Sequence, residues 1–315
     1  MSQHDFRDVV AKYGVFLGRR DTYKRKALLV ATLKQEIEPY GYPVKGIADK
    51  VRFSKAINIH IGNVDHAHTL VVAHYDQPNR MFFAHGEFDP FYETRHLLPQ
   101  LFSENVVQIA VLLVAMVSLT LINQVSELWV TLVSLVLFTI ALLYTFVKYP
   151  KGLKNRYNFN KNNSSLFTIL EYVKNNPQKT NIAFILTDNQ CLNHHGDVMV
   201  KKMLEENLKK ARVIHLDSVG KGSALQVACK IQNEDLADRV IGAYEGSLKT
   251  YKRVVESEVA NRTSLYFYEK AVSLSVGELR KDDFVVLGPQ TPNDTDVDEN
   301  LIHEMAKLLE KIRNQ

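Results

Sequence analysis

The chain has 315 residues with 39 basic and 35 acidic side chains, a formal charge of +4, and two cysteines, Cys191 and Cys229. That length suits one sizeable α/β domain with an insertion, and basic residues scattered along the chain argue against nucleic acid as a partner. The cysteines are far apart and lack a CxxC pattern, which excludes a disulfide framework or a zinc ribbon and fits a reducing compartment; the charged first twenty residues do not read as a secretory signal.

In chain order, residues 5–14 and 21–38 read as amphipathic helices, with Phe6, Val9, Val10 and Tyr13 on one face of the first. Residues 51–61 alternate as a strand, 62–68 are polar turn material, and 69–73 form a short apolar strand ending in His74-Tyr75-Asp76. This pair is expected to be an antiparallel hairpin that feeds a site.

Two uncharged apolar runs follow, at about 106–122 and 128–147. With a rise of about 1.5 Å per residue, each is long enough for a hydrocarbon core of about 30 Å, the first only marginally. Helices apolar on every face are unusual inside so small a soluble domain, which favours a transmembrane hairpin over buried core helices. The turn at 123–127 is too short to hold a domain, so both flanks belong on one side of the bilayer. Arg95 precedes the first run and Lys148, Lys151, Lys154 and Arg156 follow the second, whereas the turn carries only Glu127. The bias places both termini in the cytoplasm of a two-span protein of the cell membrane, with the bilayer as a partner. Trp129, Tyr144 and Tyr149 lie near span ends, where amphipathic rings anchor.

Beyond the hairpin, Asn162-Asn163-Ser164-Ser165 precedes a helical stripe of Leu166, Ile169, Leu170 and Val173. Apolar runs at 181–187 and 212–216 flank a lysine-rich helical stretch at 198–210, the pattern of a βαβ unit. Residues 284–287 read as a strand and 295–312 as a closing helix with acids in its first turn. Polar clusters terminate four strands, at 74–76, 187–191, 217–220 and 288–295. In an open α/β sheet such strand ends converge on one crevice.

In this order, VVAHYD, NKNNSSLFTILEYV, IAFILTDNQCLNHHGDVMV, IHLDSVG and PQTPNDTDVD resemble the strand ends of the zinc aminopeptidase family that includes aminopeptidase Y and the transferrin-receptor ectodomain, metallopeptidase family twenty-eight. The resemblance covers most of residues 45–312 and implies a three-layer α/β fold, a mixed sheet flanked by helices, here interrupted by the two-helix hairpin. The parts are 1–104 and 149–315 for the cytoplasmic domain and 105–148 for the hairpin. It also implies that His74 stands at a zinc-binding histidine, with Asp76 orienting the site, and that Asp217 stands at a liganding aspartate. Asn162, preceded by Lys161, takes the place of the bridging aspartate, Gln190 that of the general base, Cys191 that of its liganding neighbour, and Gln290 that of the final histidine.

These replacements argue against the family's chemistry. Two divalent ions need a bridging carboxylate to offset their repulsion, and the metal-bound water needs a carboxylate base, which glutamine cannot replace. No cofactor is therefore expected, and Lys161 is expected to reach into the vacated space and pair with Asp217 or Asp76. The leading reading is a non-catalytic aminopeptidase-like protein at the cytoplasmic membrane face that binds a peptide or protein partner. The alternatives are an active metallopeptidase with one zinc on His74 and Asp217, with Cys191 as a further thiolate ligand, or a structural component that assembles through its hairpin. Plainer readings also stand: Lys161 and Asn162 as a solvated turn and helix cap, Cys191 as a small buried residue, His194 and His195 as solvated loop residues rather than replacement ligands, and Asp294, Asp296 and Asp298 as helix-opening acids.

Overall fold

A computed structural model of the chain describes residues 3–51, 54–81, 87–91, 97–125, 127–149, 152–178, 181–189, 194–207, 211–261, 263–281 and 283–313. Among these, ten strands form one mixed sheet: β1 (Val44–Val51), β2 (Ser54–Ile61), β3 (Thr69–His74), β4 (Glu87–Phe88), β5 (Ile182–Thr187), β6 (Arg212–Leu216), β7 (Ala224–Lys230), β8 (Lys249–Val255), β9 (Ala271–Arg280) and β10 (Asp283–Leu287). The order is β1-β2-β5-β3-β6-β9-β10-β4, with β7 on β9 and β8 on β7. Strands β5, β3, β6 and β9 run parallel, so their carboxyl ends share one edge.

The centre is dictated by residues apolar on both faces. All six residues of β3 are buried, as a strand covered on both sides requires. Alternate residues then divide between layers. Val71 and Ala73 belong to a core cluster to which helices α1 (Gln3–Val9), α2 (Tyr23–Ile37), α5 (Ser164–Asn175), α7 (Glu234–Ala243) and α9 (Glu299–Arg313) contribute. Leu70 and Val72 pack instead with Val200 of α6 (His195–Asn207) and with Leu265 and Tyr268. His74 is in phase with this second set. The three-layer arrangement expected from the sequence is thus present.

The details correct several expectations. The strand expected over 51–61 is β2, starting at Ser54, while Val51 ends an unexpected strand, β1, that pairs with it antiparallel up to Val51↔Ser54; residues 52–53 lie outside the described ones. The expected hairpin between this segment and β3 does not form, because β5 pairs antiparallel with β2 and parallel with β3 and so lies between them. A strand as apolar as β3 takes a central place with parallel neighbours on both sides. The closing helix begins at Glu299 rather than at 295, since Asp294 turns inward. Helix α6 starts at His195, three residues before the expected stretch, whose last residues, 208–210, are not among those described.

Helices α3 (Leu97–Val125) and α4 (Leu128–Lys148) contain segments of 24 and 21 residues long and apolar enough to cross a membrane. Their apolar side chains point outward: Leu113, Val117, Leu137 and Phe146 are all more than half exposed. That exposure excludes the buried core-helix alternative. Gln108 Nε2 donates to the Tyr149 carbonyl at 2.8 Å, and the hydroxyls of Thr120 and Thr139 return to carbonyls one turn back at 2.8 Å, so these donors are satisfied within the hairpin, while Gln108 Oε1 has no partner. Lys148 closes α4 and is followed by Lys154 and Arg156, while Arg95 and Lys151 lie outside the described residues.

A buried ion pair ties the amino-terminal helical layer to the sheet. Lys26 of α2 reaches Asp188, just beyond β5, at 2.6 and 2.7 Å, and the same carboxylate accepts from the Ile57 N–H at 2.9 Å. Replacing Lys26 by methionine strands that carboxylate. The expected loss is about 3–5 kcal/mol, read as denaturant unfolding in detergent; an unchanged midpoint would contradict this role for the pair.

Candidate functional site

The shared carboxyl edge places His74 and Thr187 opposite each other at the ends of β3 and β5, while Asp217 follows the β6 residue that faces Ala73. Ser218, next in line, has a left-handed backbone (φ 60°), which turns the chain sharply away from the strand. His215 and Asp217 are two residues apart and share a face. His215 Nδ1 lies 3.0 Å from Ser273 Oγ, and its ring is 5.0 Å from that of His74.

Opposite this edge, residues 159–163 form a wide helical turn that leads into α5, and all five are buried. Buried polar groups need partners, and several in this turn find them, although the Asn163 side chain and Asn160 Nδ2 have none. Asp294 accepts from the N–H groups of Asn160 (2.6 Å) and Lys161 (3.3 Å), and Asn158 Oδ1 accepts from the Asn162 N–H (3.0 Å). Asn162 Nδ2 donates to the Asp76 carbonyl at 2.6 Å, which ties the turn to the end of β3. Lys161 Nζ, thus aimed, lies 2.6 and 2.7 Å from the two oxygens of Asp217 and 4.7 Å from the centre of the Phe88 ring. Lys161 is 1% exposed, which excludes the solvated-turn alternative.

A second cluster adjoins the first through His74. Its Nδ1 lies 2.7 Å from Thr187 Oγ1 and its Nε2 2.9 Å from Ser264 Oγ. Asp197, in the first turn of α6, accepts from Ser264 Oγ at 2.9 Å, Tyr268 OH at 2.7 Å and His194 Nδ1 at 2.9 Å. Ligand atoms of His74, His194 and Asp197 all lie within 4.8 Å of one another. His195 instead points to Asp49 at 2.9 Å. His194 is therefore no solvated loop residue, and among the adjacent histidines it alone joins this cluster.

The protonation states follow from burial and neighbours. Burial pushes His74 down to about 3 and also lowers His215, so both imidazoles are neutral at physiological pH. Burial alone would raise Asp217, but the Lys161 ammonium holds it below the usual carboxylate value. Burial likewise acts against Asp197, and the imidazoles around it, His74 first, keep it below the ordinary range. Asp294 is pushed up to about 6 by burial, only partly offset by its two backbone N–H partners. It is 3% exposed and clamps the 159–163 turn, a correction to its reading as a helix-opening acid.

Of the residues assigned by sequence, His74, Asp76, Lys161, Asn162 and Asp217 come together. Gln290 lies in the loop after β10 with a left-handed backbone (φ 62°), and its carbonyl accepts from the Met81 N–H at 2.9 Å. Gln190 and Cys191 are outside the described residues. Thr187 lies in one of the strand-end clusters expected to line the crevice, whereas sequence reasoning missed Asp197, Ser264, Tyr268 and His215 as members of the site. Of these four only His215 carried a legible signal, a two-residue spacing from Asp217 on an expected strand.

The described residues do not fit a two-zinc centre. Both Asp217 oxygens face an ammonium, and Asn162, which the resemblance places at the bridging carboxylate, is an amide donating to a carbonyl. A divalent ion there would add like charge beside Lys161. The His74, His194 and Asp197 set, by contrast, has the donor chemistry for one zinc.

Two outcomes test these interactions. Lys161→Met leaves Asp217 buried without a cation and is expected to cost about 3–5 kcal/mol, measured by chemical unfolding; a neutral change would count against the pair. His74 and His215 are depressed in the fold, so their contribution to stability is present above the unfolded value of about 6.5 and is lost as pH falls through the folded values. The unfolding midpoint should therefore drop from about pH 6.5 downward, and less so in His74→Gln. Identical profiles for parent and variant would contradict a buried neutral His74.

No protein-family model and no curated protein matches the sequence. The fold is similar to solved structures of zinc-dependent peptidases and glutaminyl cyclases. A Zn-dependent exopeptidase from Parabacteroides distasonis matches with a TM-score of 0.54 and 15% identity over 98% of this chain and 96% of that one. The glutaminyl cyclase of Tannerella forsythia gives 0.55 and 15% over the same shares. The Legionella pneumophila LapA aminopeptidase gives 0.55 and 12%, over 99% of this chain and 68% of that one. At such identities the likeness is one of fold alone: a central mixed sheet flanked by helices, as in those structures.

Proposed function

We propose that the protein is a membrane-anchored, non-catalytic relative of the zinc aminopeptidases, whose cleft serves binding or assembly at the cytoplasmic face of the membrane. The observation that carries this reading is the buried Lys161–Asp217 pair, with Nζ 2.6 Å from the nearer carboxylate oxygen. The ammonium neutralises a carboxylate that the resemblance gives to a metal, and Asn162 and Gln190 supply no carboxylate to bridge ions or activate water. A peptide or a protein segment is the occupant the cleft's ancestry suggests.

The outward apolar faces of α3 and α4 support anchoring by a two-helix hairpin inserted between residues 1–104 and 149–315 of one domain. Lys148, Lys154 and Arg156 beyond the second helix support a cytoplasmic domain and termini.

Purified protein supplied with excess zinc is expected to release no product from aminoacyl-anilide substrates above a heat-denatured control. Turnover that disappears with His74→Ala would overturn the non-catalytic reading. In intact cells, the variant Asn123→Cys should react with a membrane-impermeant maleimide and Lys311→Cys should not. The reverse pattern would overturn the topology.

A further inference from the structure

We infer that His74, His194 and Asp197 form a site for a single zinc ion, displaced from the family's metal positions and serving to lock the strand end to the layer above it. This goes beyond the non-catalytic reading and does not depend on it.

The first argument is charge. Asp197 is fully buried, and the residues that contact its carboxylate are His74, His194, Ser264 and Tyr268. Among the described residues no lysine or arginine pairs with it. Its place in the first turn of α6 provides favourable partial charge, yet a buried carboxylate is ordinarily matched by a full cation. A metal ion on the ligand atoms around it, which lie within 4.8 Å of one another, would supply that cation.

The second argument is ligand presentation. Thr187 Oγ1 lies 3.3 Å from the Ala73 carbonyl and 2.7 Å from His74 Nδ1. In the metal-free chain Ser264 Oγ donates to Asp197 and lies 2.9 Å from His74 Nε2, so Nε2–H donates to Ser264 and Thr187 donates to Nδ1. A metal on Nε2, 3.8 Å from Asp197, requires the ring proton to move to Nδ1, where Thr187 accepts it once its own proton turns to the Ala73 carbonyl. Metal-bound histidines are held in this manner through the ring nitrogen that does not bind the ion. Tyr268 OH grips the other Asp197 oxygen, leaving Oδ2 toward both histidines. His194 is partly exposed and has a left-handed backbone (φ 54°), so it is the ligand able to move. Zinc bonds of about 2.0–2.1 Å need the three atoms to draw in from their 4.8 Å spread, and a shift of His194 supplies this. The fourth position falls to water or to Ser264 Oγ.

Such an ion would join β3, the start of α6 and the 264–268 segment. It sits beside Asp217, but that carboxylate is held by Lys161 and cannot act as a base, so the ion stabilises rather than hydrolyses.

The test is calorimetric titration of zinc into metal-free, detergent-solubilised full-length protein, with thermal unfolding as the second readout. Stoichiometric binding and a raised Tm are expected in the parent and in Asp217→Asn. His194→Ala, a change at a partly exposed side chain, should abolish tight binding while retaining the parent's circular dichroism. Thr187→Val should weaken it about 10–100-fold. No binding by the parent would overturn the site. Binding lost in Asp217→Asn but kept in His194→Ala would place the ion at the family's positions and overturn it equally. The first result leaves the non-catalytic reading standing, the second counts against both, and turnover lost with His74→Ala would overturn that reading while leaving the His194-dependent binding intact, so the two failures are distinguishable.

Discussion

The pairing of Lys161 with Asp217 sets the character of the cleft. A buried ammonium and carboxylate are each costly alone, and their attraction compensates only if both are well hydrogen-bonded. Here the surroundings meet that condition: Ser218 Oγ donates to Asp217, the Phe88 ring covers the ammonium, and Asp294 fixes the backbone of residue 161. The centre of the crevice is thereby filled with one positive and one negative charge. That arrangement leaves little electrostatic reason for a pair of metal ions at the same spot.

Around this pair the polar interior falls into neighbouring networks, joined at the ends of β3, β5 and β6. His74 and Thr187 lead to Asp197, Tyr268 and α6; Asp76 and Asn162 lead to the 159–163 turn; Lys26 and Asp188 lead to α2. Each uses backbone groups as well as side chains, so sheet and covering layers are fastened at the edge where the strands stop. The apolar hairpin enters the sequence between β4 and the 159–163 turn. Strands on both sides of that insertion belong to the same sheet, so interrupting the sequence does not interrupt the core.

The sequence revealed elements whose pattern depends on short-range chemistry. The β6 run RVIHL and the apolar β3 were visible because strands covered on both faces read as continuous apolar segments. The hairpin was visible because two adjacent uncharged runs of that length are rare in a soluble domain of this size. The order of strands was not visible. Nothing in residues 51–74 signals that β5, more than a hundred residues later, lies between β2 and β3. Strands β7 to β9 were missed for a related reason. Their mixed compositions, such as KTYKRVV, owe their pairing to neighbours remote in sequence. Within the site, the strand-end residues His74, Asp76 and Asp217 could be placed by order, whereas Asp197 and Ser264 reach His74 from a helix start and a short helical turn that no local pattern marks.

The central claim is that an ammonium is paired with the strand-end aspartate, Asp217, that the sequence resemblance would assign to a metal. Its most direct test is an experimental crystal structure from zinc-soaked protein, with anomalous difference density recorded at the zinc edge. The account predicts Lys161 Nζ within hydrogen-bond reach of both Asp217 oxygens and no anomalous peak on that carboxylate. A zinc peak bound to Asp217, with Lys161 swung away, would contradict it.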